Sequence, residues 1–174
     1  MAAPFINLRI RDACVSDAAL LVAAQRAIAR IPGRLASQPH ELSEAAMAER
    51  IARLSGSQQG AFVVIEADGE IRGHALLDPL KLAVTSHVVD LTIAVHEGAQ
   101  GQGLGQRLLA HLIAWARAQP TIERIELRVR SANTPAIQLY KKMGFIEEGR
   151  MVKRIKIGPQ AYLDDVVMAL WVGD

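Results

Sequence analysis

The amino-acid sequence predicts a single α+β domain in which helices flank a mostly antiparallel sheet. The segment 61–77 holds two β-rich runs joined by Asp68-Gly69, a dipeptide that readily takes positive φ and therefore predicts a tight hairpin. The segment 122–130 alternates strictly between apolar and polar residues, as a strand with one buried face does. Segments in which apolar residues recur at helical spacing lie before and between these strands.

The first half of the chain begins with a predicted strand at 5–11, where apolar and polar residues alternate. Ser16 and Asp17 are helix-capping residue types, and we expect the helix that follows them to end at Pro32-Gly33. The predicted buried stripe of this helix consists of Leu21, Ala24, Ile28 and Ile31. A second helix is predicted over 41–54, and its apolar face carries Met47, Ile51 and Leu54.

In the second half, a predicted strand at 87–95 leads into a stretch with four glycines in eight positions. We expect the next helix to end near Pro120 and to bury Leu108, Leu109, Leu112, Ile113 and Ala116. The strand at 122–130 places Arg124, Glu126, Arg128 and Arg130 on its polar face. A short helix in TPAIQLYKKM, stopped by Gly144, and strands at 151–158 and 161–172 complete the prediction.

Length and composition are those of one globular domain that covers 1–174. Hydrophobic residues make up 51% of the 174 residues and charged residues 22%, which is typical of a soluble protein with a real core. The 20 basic and 18 acidic side chains give a formal net charge of +2. Charge therefore supplies no argument for nucleic acid or a membrane surface as a partner.

Cys14 is the only cysteine, so the chain has no intrachain disulfide and no multi-cysteine metal site. We expect Cys14 to be a small buried hydrophobe, with a catalytic thiol as the alternative. The first twelve residues lack a basic region followed by a long apolar run, and no uncharged run approaches the ~18 residues of a membrane span. A cytoplasmic protein without a signal peptide is predicted.

The glycine-rich stretch within 96–112 predicts a phosphate-binding loop at the start of a helix. A nucleotide-triphosphate loop needs lysine and then serine or threonine after its last glycine, and Leu104 and Gly105 stand there instead. A dinucleotide fingerprint needs a third glycine at the position of Gln106. What remains is a Q-x-x-G-x-G loop whose backbone N–H groups hold a diphosphate, or a glycine-rich turn that binds nothing.

A second segment, RSANTPAIQLYKKMGFIEEG at 130–149, favours the binding loop. Together with LTIAVHEGAQGQGLGQRLL it resembles the GNAT superfamily of acetyl-coenzyme A-dependent N-acetyltransferases. That family pairs a [QR]-x-x-G-x-[GA] loop after its fourth strand with an N-x-x-A-x-x-[LF]-Y-x-x-x-G-F segment after its fifth. The second pattern is matched by Asn133, Ala136, Leu139, Tyr140, Gly144 and Phe145. The finer resemblance is to a bacterial branch that includes L-amino acid N-acetyltransferases.

The resemblance implies a GNAT-like mixed sheet of about seven strands, mostly antiparallel and flanked by four helices. It also implies a bulge that splays the fourth strand from the fifth and opens a gap for the pantetheine arm of acetyl-CoA. The backbone of Ile93 and Val95 is expected to hydrogen-bond that arm. The pyrophosphate is expected to bind the amides of the glycine loop, which are those of Gln100, Gly101, Gln102, Gly103, Leu104, Gly105 and Gln106.

Tyr140 resembles the general acid of the family. A phenol with a pKa of about 10 stays protonated at neutral pH and can donate a proton or a hydrogen bond to a thiolate whose own pKa is about 8.5. An aromatic that merely packs the helix is the alternative for Tyr140. Asn133 resembles the family residue that hydrogen-bonds the coenzyme, and a plain helix cap suits it equally well.

Asp90 is the best carboxylate candidate for the general base. Many relatives place a glutamate nearby, but the resemblance puts Val89 at that position, one residue before Asp90. A shift of one residue along a strand places the side chain on the opposite face of the sheet. Asp90 is predicted to act as a base or to anchor a water, with an ordinary polar strand position as the alternative.

The acceptor is expected to be a primary amine, first a free amino acid or similar small molecule and second a protein N-terminus or lysine. Arg34 and His40, between the first two helices, are predicted to receive a substrate carboxylate. No metal site is predicted from the histidine spacing. A module that binds acetyl-CoA without catalysis is the alternative of another class, against which Asn133 and Tyr140 argue. By analogy with relatives, the two C-terminal strands offer an edge for a homodimer.

Overall fold

The computed structural model describes residues 5 and 7–173. In this part of the chain the elements follow the order β1 (Leu8–Asp12), α1 (Ala18–Ala29), α2 (Glu44–Leu54), β2 (Ala61–Ala67), β3 (Glu70–Pro79), β4 (Val88–Val95), α3 (Leu104–Arg117), β5 (Arg124–Arg130), α4 (Thr134–Lys142), β6 (Ile146–Lys156) and β7 (Tyr162–Trp171). Residues 1–4 and Ile6, on which the prediction of no signal peptide and the start of the first strand depend, lie outside the described residues.

The strands form one seven-stranded sheet in the order β1-β2-β3-β4-β5-β7-β6. Every neighbouring pair is antiparallel except β4 and β5, which are parallel. The Asp68-Gly69 turn joins β2 to β3 with φ of 52° and 84°, as the sequence predicts. The mixed, mostly antiparallel sheet flanked by helices is confirmed.

The parallel strands β4 and β5 pair only at their beginnings, from Val88 to Asp90 on β4. Beyond Asp90, β4 stays on β3 and β5 stays on β7, so the two strands splay apart as predicted. The predicted bulge in the fourth strand is wrong, because the β3–β4 pairing runs along 89–95 without a register shift. β4 is held by β3 and β5 is held by β7, and the twist of the sheet separates β4 from β5 without an inserted residue in either strand.

Helices cover the two faces of the sheet unequally. On the first face, here the α3 face, α3 and α4 pack on a core drawn from β2, β3, β4, β5 and β7. On the second face, here the α2 face, α1 and α2 cover Phe62, Val64 and Leu76 of β2 and β3. Among the described residues, none of β4 to β7 belongs to that second core. The helices of the α2 face therefore pack mainly on β2 and β3.

Several predicted boundaries shift by a few residues for local reasons. α2 begins at Glu44 rather than 41, because the hydroxyl of Ser43 accepts the N–H of Ala46 at 3.2 Å and caps the helix there. Asp17 does not cap α1 through its side chain, since its carboxylate binds Arg11 and the N–H of Cys14 at 2.8 Å. No helix in the described residues has the length and apolarity needed to cross a membrane.

Two burial predictions are wrong. Cys14 is exposed, and so is Ile31, which lies beyond the end of α1. The inner face of α1 carries Leu21, as predicted, together with Ala18, Val22, Gln25 and Ala29, whereas the predicted Ala24 and Ile28 are only partly buried. A polar Gln25 takes an inner position because it has a hydrogen-bond partner in the core.

That partner belongs to a chain of three polar side chains through the core. His96 Nδ1 lies 3.2 Å from the carbonyl oxygen of Ile71, which can only accept, so we infer that Nδ1 carries the proton. His74 Nδ1 then donates to His96 Nε2 at 3.0 Å, and Gln25 Nε2 donates to His74 Nε2 at 2.9 Å. Burial lowers the pKa of both imidazoles, that of His74 to about 3. Both histidines are therefore neutral in the folded protein.

Acidification from pH 7 to pH 5 is expected to lower the free energy of unfolding by about 2 kcal/mol through His74 alone. The unfolded chain protonates His74 below its ordinary pKa of about 6.5, whereas the folded chain resists protonation down to a pKa of about 3. The stabilisation is complete above pH 6.5 and is lost as the pH falls towards 3. Urea unfolding at pH 7 and pH 5 measures the difference.

The matched variants are His74→Leu and His111→Leu, because His111 is exposed on α3. His74→Leu is expected to flatten the dependence of unfolding free energy on pH between 7 and 5, whereas His111→Leu keeps it. An unchanged slope in His74→Leu would assign the acid sensitivity to other groups.

Candidate active site

The loop between β4 and α3 requires glycine at three positions, of which Gly98 has a φ of 79° and the other two lie next to the helix. Gly101 and Gly103 have φ of 74° and 78°, in the left-handed region, and Gly103 is the N-cap of α3. Nothing lies within 4 Å of a Cβ placed on either residue. The backbone conformation rather than crowding demands glycine, and the surface of the loop is open to a ligand.

The loop presents a run of free backbone donors. In the described chain, none of the N–H groups from Gln100 to Gln106 donates to a backbone carbonyl, and the next N–H group that does so is that of Arg107. The side-chain amides of Gln100 and Gln102 donate to carbonyls of the same segment, at 3.4 and 3.3 Å, and brace the loop. Free N–H groups at the positive end of a helix dipole make a site for a diphosphate.

The backbone of β4 turns half of its polar groups towards the gap. The N–H of His96 donates to a carbonyl at the start of β3 at 2.8 Å, and the carbonyl of Val88 accepts from just beyond its end at 3.2 Å, so the even-numbered residues bond to β3. Ile93 and Val95 therefore direct their N–H and C=O groups to the side from which β5 has diverged. Only the carbonyl of Val95 has a side-chain partner there, in Gln100. An extended, amide-bearing ligand fits this open edge.

Tyr140 lies on α4 and is 6% exposed. Its ring packs against Phe145, with the ring centroids 5.7 Å apart and the planes tilted by 56°. Burial in the core of the α3 face raises the pKa of the Tyr140 hydroxyl above its ordinary value, so the phenol stays protonated at neutral pH.

Asn133 is the N-cap residue of α4, with φ −87° and ψ 61°. Its side chain makes no capping hydrogen bond, although its backbone carbonyl accepts the N–H of Ile137 at 3.1 Å. The side chain of Asn133 thus does not cap the helix in the structure, and its side-chain amide is available to contact a ligand.

Asp90 is the last β4 residue that pairs with β5, and it lies opposite Asp78 of β3 and Glu126 of β5. Its side chain is 35% exposed, and its nearest cation is Arg128, whose Nη2 lies 3.9 Å from Asp90 Oδ2. Burial, assisted by Glu126 and Asp78 and opposed by Arg128 and Arg50, raises the pKa of the Asp90 carboxyl. A carboxylate with a raised pKa is a stronger base.

Val89 and Asp90 face opposite sides of the sheet. Val89 is fully buried in the core of the α3 face, so side-chain alternation directs Asp90 to the α2 face. A carboxylate at position 89 would lie on the same side as Tyr140, whereas Asp90 lies on the other side. The structure therefore separates the two titratable groups across the sheet.

Arg34 and His40 are both exposed in the connection between α1 and α2. Two cavities flank this connection: one of about 880 Å³ between α1, α2 and the β3–β4 connection, and one of about 420 Å³ against β6. Neither Arg34 nor His40 lines either cavity, and neither do Tyr140 and Asp90. Among the described residues, neither Arg34 nor His40 makes a hydrogen bond or an ion pair with Asp90.

No group of three or more histidine, cysteine, aspartate and glutamate side chains is arranged to hold a metal ion in the part of the chain that the structure describes.

Comparisons with known proteins agree with this geometry. A protein-family model described as the acetyltransferase (GNAT) family matches residues 29–145. The chain belongs to the GNAT acetyltransferase family. This GNAT enzyme is an N-acetyltransferase and hence an acyltransferase.

Its relatives differ in the amine that their names specify. The L-amino acid N-acetyltransferase AaaT of Escherichia coli (strain K12) is 34% identical over 121 residues, which are 70% of this chain and 72% of that protein. An N-alpha-acetyltransferase of Sulfurisphaera tokodaii is 36% identical over 115 residues, 60% of this chain and 68% of that protein. A solved GNAT-family acetyltransferase from Streptococcus pneumoniae superimposes with a TM-score of 0.86 at 27% identity, over 95% of this chain and 99% of that one.

A charged row on β5 of this GNAT enzyme escaped the site prediction. Arg124, Glu126, Arg128 and Arg130 all face the α2 side, beside Asp90. Their strict alternation predicted a polar strand face correctly. One signal that this face has no helix over it is the small number of helices predicted in the first half of the chain: among the described residues, α1 and α2 pack on β2 and β3.

Proposed function

We propose that this GNAT enzyme moves the acetyl group of acetyl-CoA to the amine of a free amino acid. The observation that carries the proposal is the position of two titratable groups on opposite faces of the sheet: Tyr140 on the α3 face, and Asp90 on the α2 face where β4 leaves β5. A thioester in the gap would meet an amine from the α2 face and a proton donor from the α3 face.

Acetyl-CoA suits the free backbone groups of the chain. The N–H groups from Gln100 to Gln106 would hold its pyrophosphate, and the open edge at Ile93 and Val95 would bind the amides of its pantetheine arm. Asn133, whose side chain is not used by the helix cap, would hydrogen-bond the coenzyme. When bound, acetyl-CoA supplies an activated acyl group.

Asp90 takes the proton of the attacking amine, directly or through one water, which frees the nitrogen lone pair. The C–N bond then forms, the C–S bond breaks, and the second nitrogen proton is lost to solvent to give the neutral amide. Burial holds the pKa of Tyr140 well above the value of about 8.5 typical of a thiol, so its hydroxyl stabilises the departing thiolate by a hydrogen bond. Each residue thus acts on the atom that gains or loses charge.

A free amino acid as acceptor is supported by the likeness to AaaT over 70% of the chain. The α-amine of a protein N-terminus is the second candidate, which the Sulfurisphaera tokodaii relative favours. Arg34 and His40 remain proposed contacts to a substrate carboxylate.

We also propose a cytoplasmic location, which an exposed, unpaired Cys14 fits.

A homodimer through β6 is proposed as well, because this edge strand is exposed along nearly its whole length.

The test is release of free coenzyme A from acetyl-CoA across free amino acids, their amides, short peptides, polyamines and aminoglycosides. The proposal expects one or more free amino acids to give the highest kcat/KM, with the acetylated amine identified by mass spectrometry. Peptides as the best acceptors would establish the second candidate. Acetyl-CoA binding by calorimetry with no transfer to any acceptor would favour a binding module.

A further inference from the structure

The α2 face of the sheet carries a row of ion pairs around Asp90. Asp78 binds Arg53 at 2.8 Å and Arg50 at 3.3 Å. Further along the row, Glu126 binds Arg124 and Asp165 binds Arg130, each at 2.8 Å. Each of these carboxylates has a cation in close contact. The four arginines named here thus each lie within 3.3 Å of a carboxylate oxygen.

Arg128 has the longest ion pair of this row. Its closest carboxylate is Asp90, at 3.9 Å, and its guanidinium makes no hydrogen bond within the described residues. The side chain is 47% exposed. On β5 it lies two residues beyond Glu126, which is the last residue paired with β4, so Arg128 borders the opening between the splayed strands.

From this arrangement we propose that Arg128 and Asp90 form a subsite for a zwitterionic α-amino acid. Arg128 binds the α-carboxylate and Asp90 binds the α-ammonium. The inference rests on the proposed function and deepens it, because it assigns the groups that select a free amino acid over other amines.

The chemistry of the two side chains matches that ligand. In an α-amino acid the ammonium and carboxylate stand on one carbon, so their binding partners must be an anion and a cation close together. Asp90 and Arg128 lie 3.9 Å apart, close enough to share one ligand and too far to satisfy each other by a hydrogen bond. The planar guanidinium offers two parallel N–H donors to a carboxylate.

The subsite also places the amine for reaction. With the carboxylate held by Arg128, the nitrogen lies against Asp90, where the strands part. One proton passes from the ammonium to the Asp90 carboxylate and the neutral amine forms the C–N bond. The C–S bond then breaks to leave the thiolate, and the second nitrogen proton is lost to solvent to give the neutral amide. A peptide amine has an amide in place of the carboxylate and leaves Arg128 solvated but unpaired.

The experiment compares kcat/KM for the best free amino acid and for its α-amide in the intact enzyme, Arg128→Gln and Arg128→Lys. The intact enzyme is expected to favour the acid over the amide by tenfold or more. Arg128→Gln should raise the KM for the acid by about ten- to a hundredfold and leave the amide nearly unchanged. Arg128→Lys should restore part of the preference, since it keeps the charge and loses the fork.

Arg9→Gln is the control, because Arg9 is exposed on β1, three strands away from β4. Calorimetry with acetyl-CoA shows whether each variant keeps its folded coenzyme site. Arg34→Gln in the same assay separates the two proposed carboxylate contacts: a loss of the acid preference there, with none in Arg128→Gln, would overturn the inference.

Failure of the inference and failure of the proposed function are distinguishable. If the intact enzyme acetylates free amino acids and Arg128→Gln keeps the same ratio of acid to amide, the subsite is wrong and the proposed function stands. If the intact enzyme acetylates peptides or amides and no free amino acid, both are wrong.

Discussion

Replacing Tyr140 with phenylalanine is expected to lower kcat by about 10²-fold or more and to leave the Kd for acetyl-CoA within a few-fold of its original value. The substitution removes one hydroxyl and keeps the ring that packs on Phe145. Because burial raises the pKa of this hydroxyl, the hydroxyl is protonated when the sulfur leaves. Without it, the leaving thiolate loses one hydrogen-bond donor. Rapid-quench turnover and calorimetry with acetyl-CoA measure the two quantities.

Tyr162→Phe is the matched control, since Tyr162 is half-exposed on β7 and its ring lies near Lys156. That variant loses the same hydroxyl from the surface and is expected to turn over normally. The decisive comparison uses substrates whose leaving thiols differ in pKa. Tyr140→Phe should be slowed most with the most basic thiol, and an equal slowing with all thiols would assign Tyr140 a packing role.

Local motifs predicted the glycine loop and α4, which form the proposed coenzyme side of the site, because local backbone conformation decides both. Gly101 and Gly103 are needed wherever φ is near 75°, and that requirement is visible in the sequence itself. The helix that carries Asn133 and Tyr140 is likewise encoded within ten residues. The resemblance predicted that β4 splays from β5. It did not predict the cause correctly, because the regular pairing of β4 depends on its partner β3, which lies outside the motif.

The acceptor side depends on contacts between distant segments, which the sequence pattern does not record. The alternation at 124–130 shows that four charged residues share one face, but only the neighbouring strands decide which of them finds a partner. Gln25 was missed for the same reason: its hydrogen bond to His74 spans 49 residues and makes a polar side chain part of the core. Arg128 is conspicuous only once the partners of its neighbours are known.

Asp90→Asn is expected to lower kcat/KM for the amino acid by about 10²-fold at neutral pH and to remove one acidic limb of the pH–rate profile. Asparagine keeps the size and a hydrogen-bond acceptor but cannot take a proton. Burial, with Glu126 and Asp78 nearby, raises the pKa of the Asp90 carboxyl, while Arg128 and Arg50 oppose the rise. The rate of the intact enzyme should therefore fall as the pH drops through that raised pKa, because protonated Asp90 is no base.

Protonation of the acceptor amine also slows the reaction, because it removes the nucleophilic lone pair. The pH–rate profile must therefore distinguish the limb of the amine from the limb of Asp90. Acceptors whose amines differ in pKa shift the limb that belongs to the amine and leave the limb of Asp90 in place. In Asp90→Asn the limb that follows the acceptor should remain and the fixed limb should vanish. Asp12→Asn serves as the control, because Asp12 is exposed on β1. A fixed limb that survives in Asp90→Asn would move the base to another group and leave Asp90 as a binding residue for the ammonium.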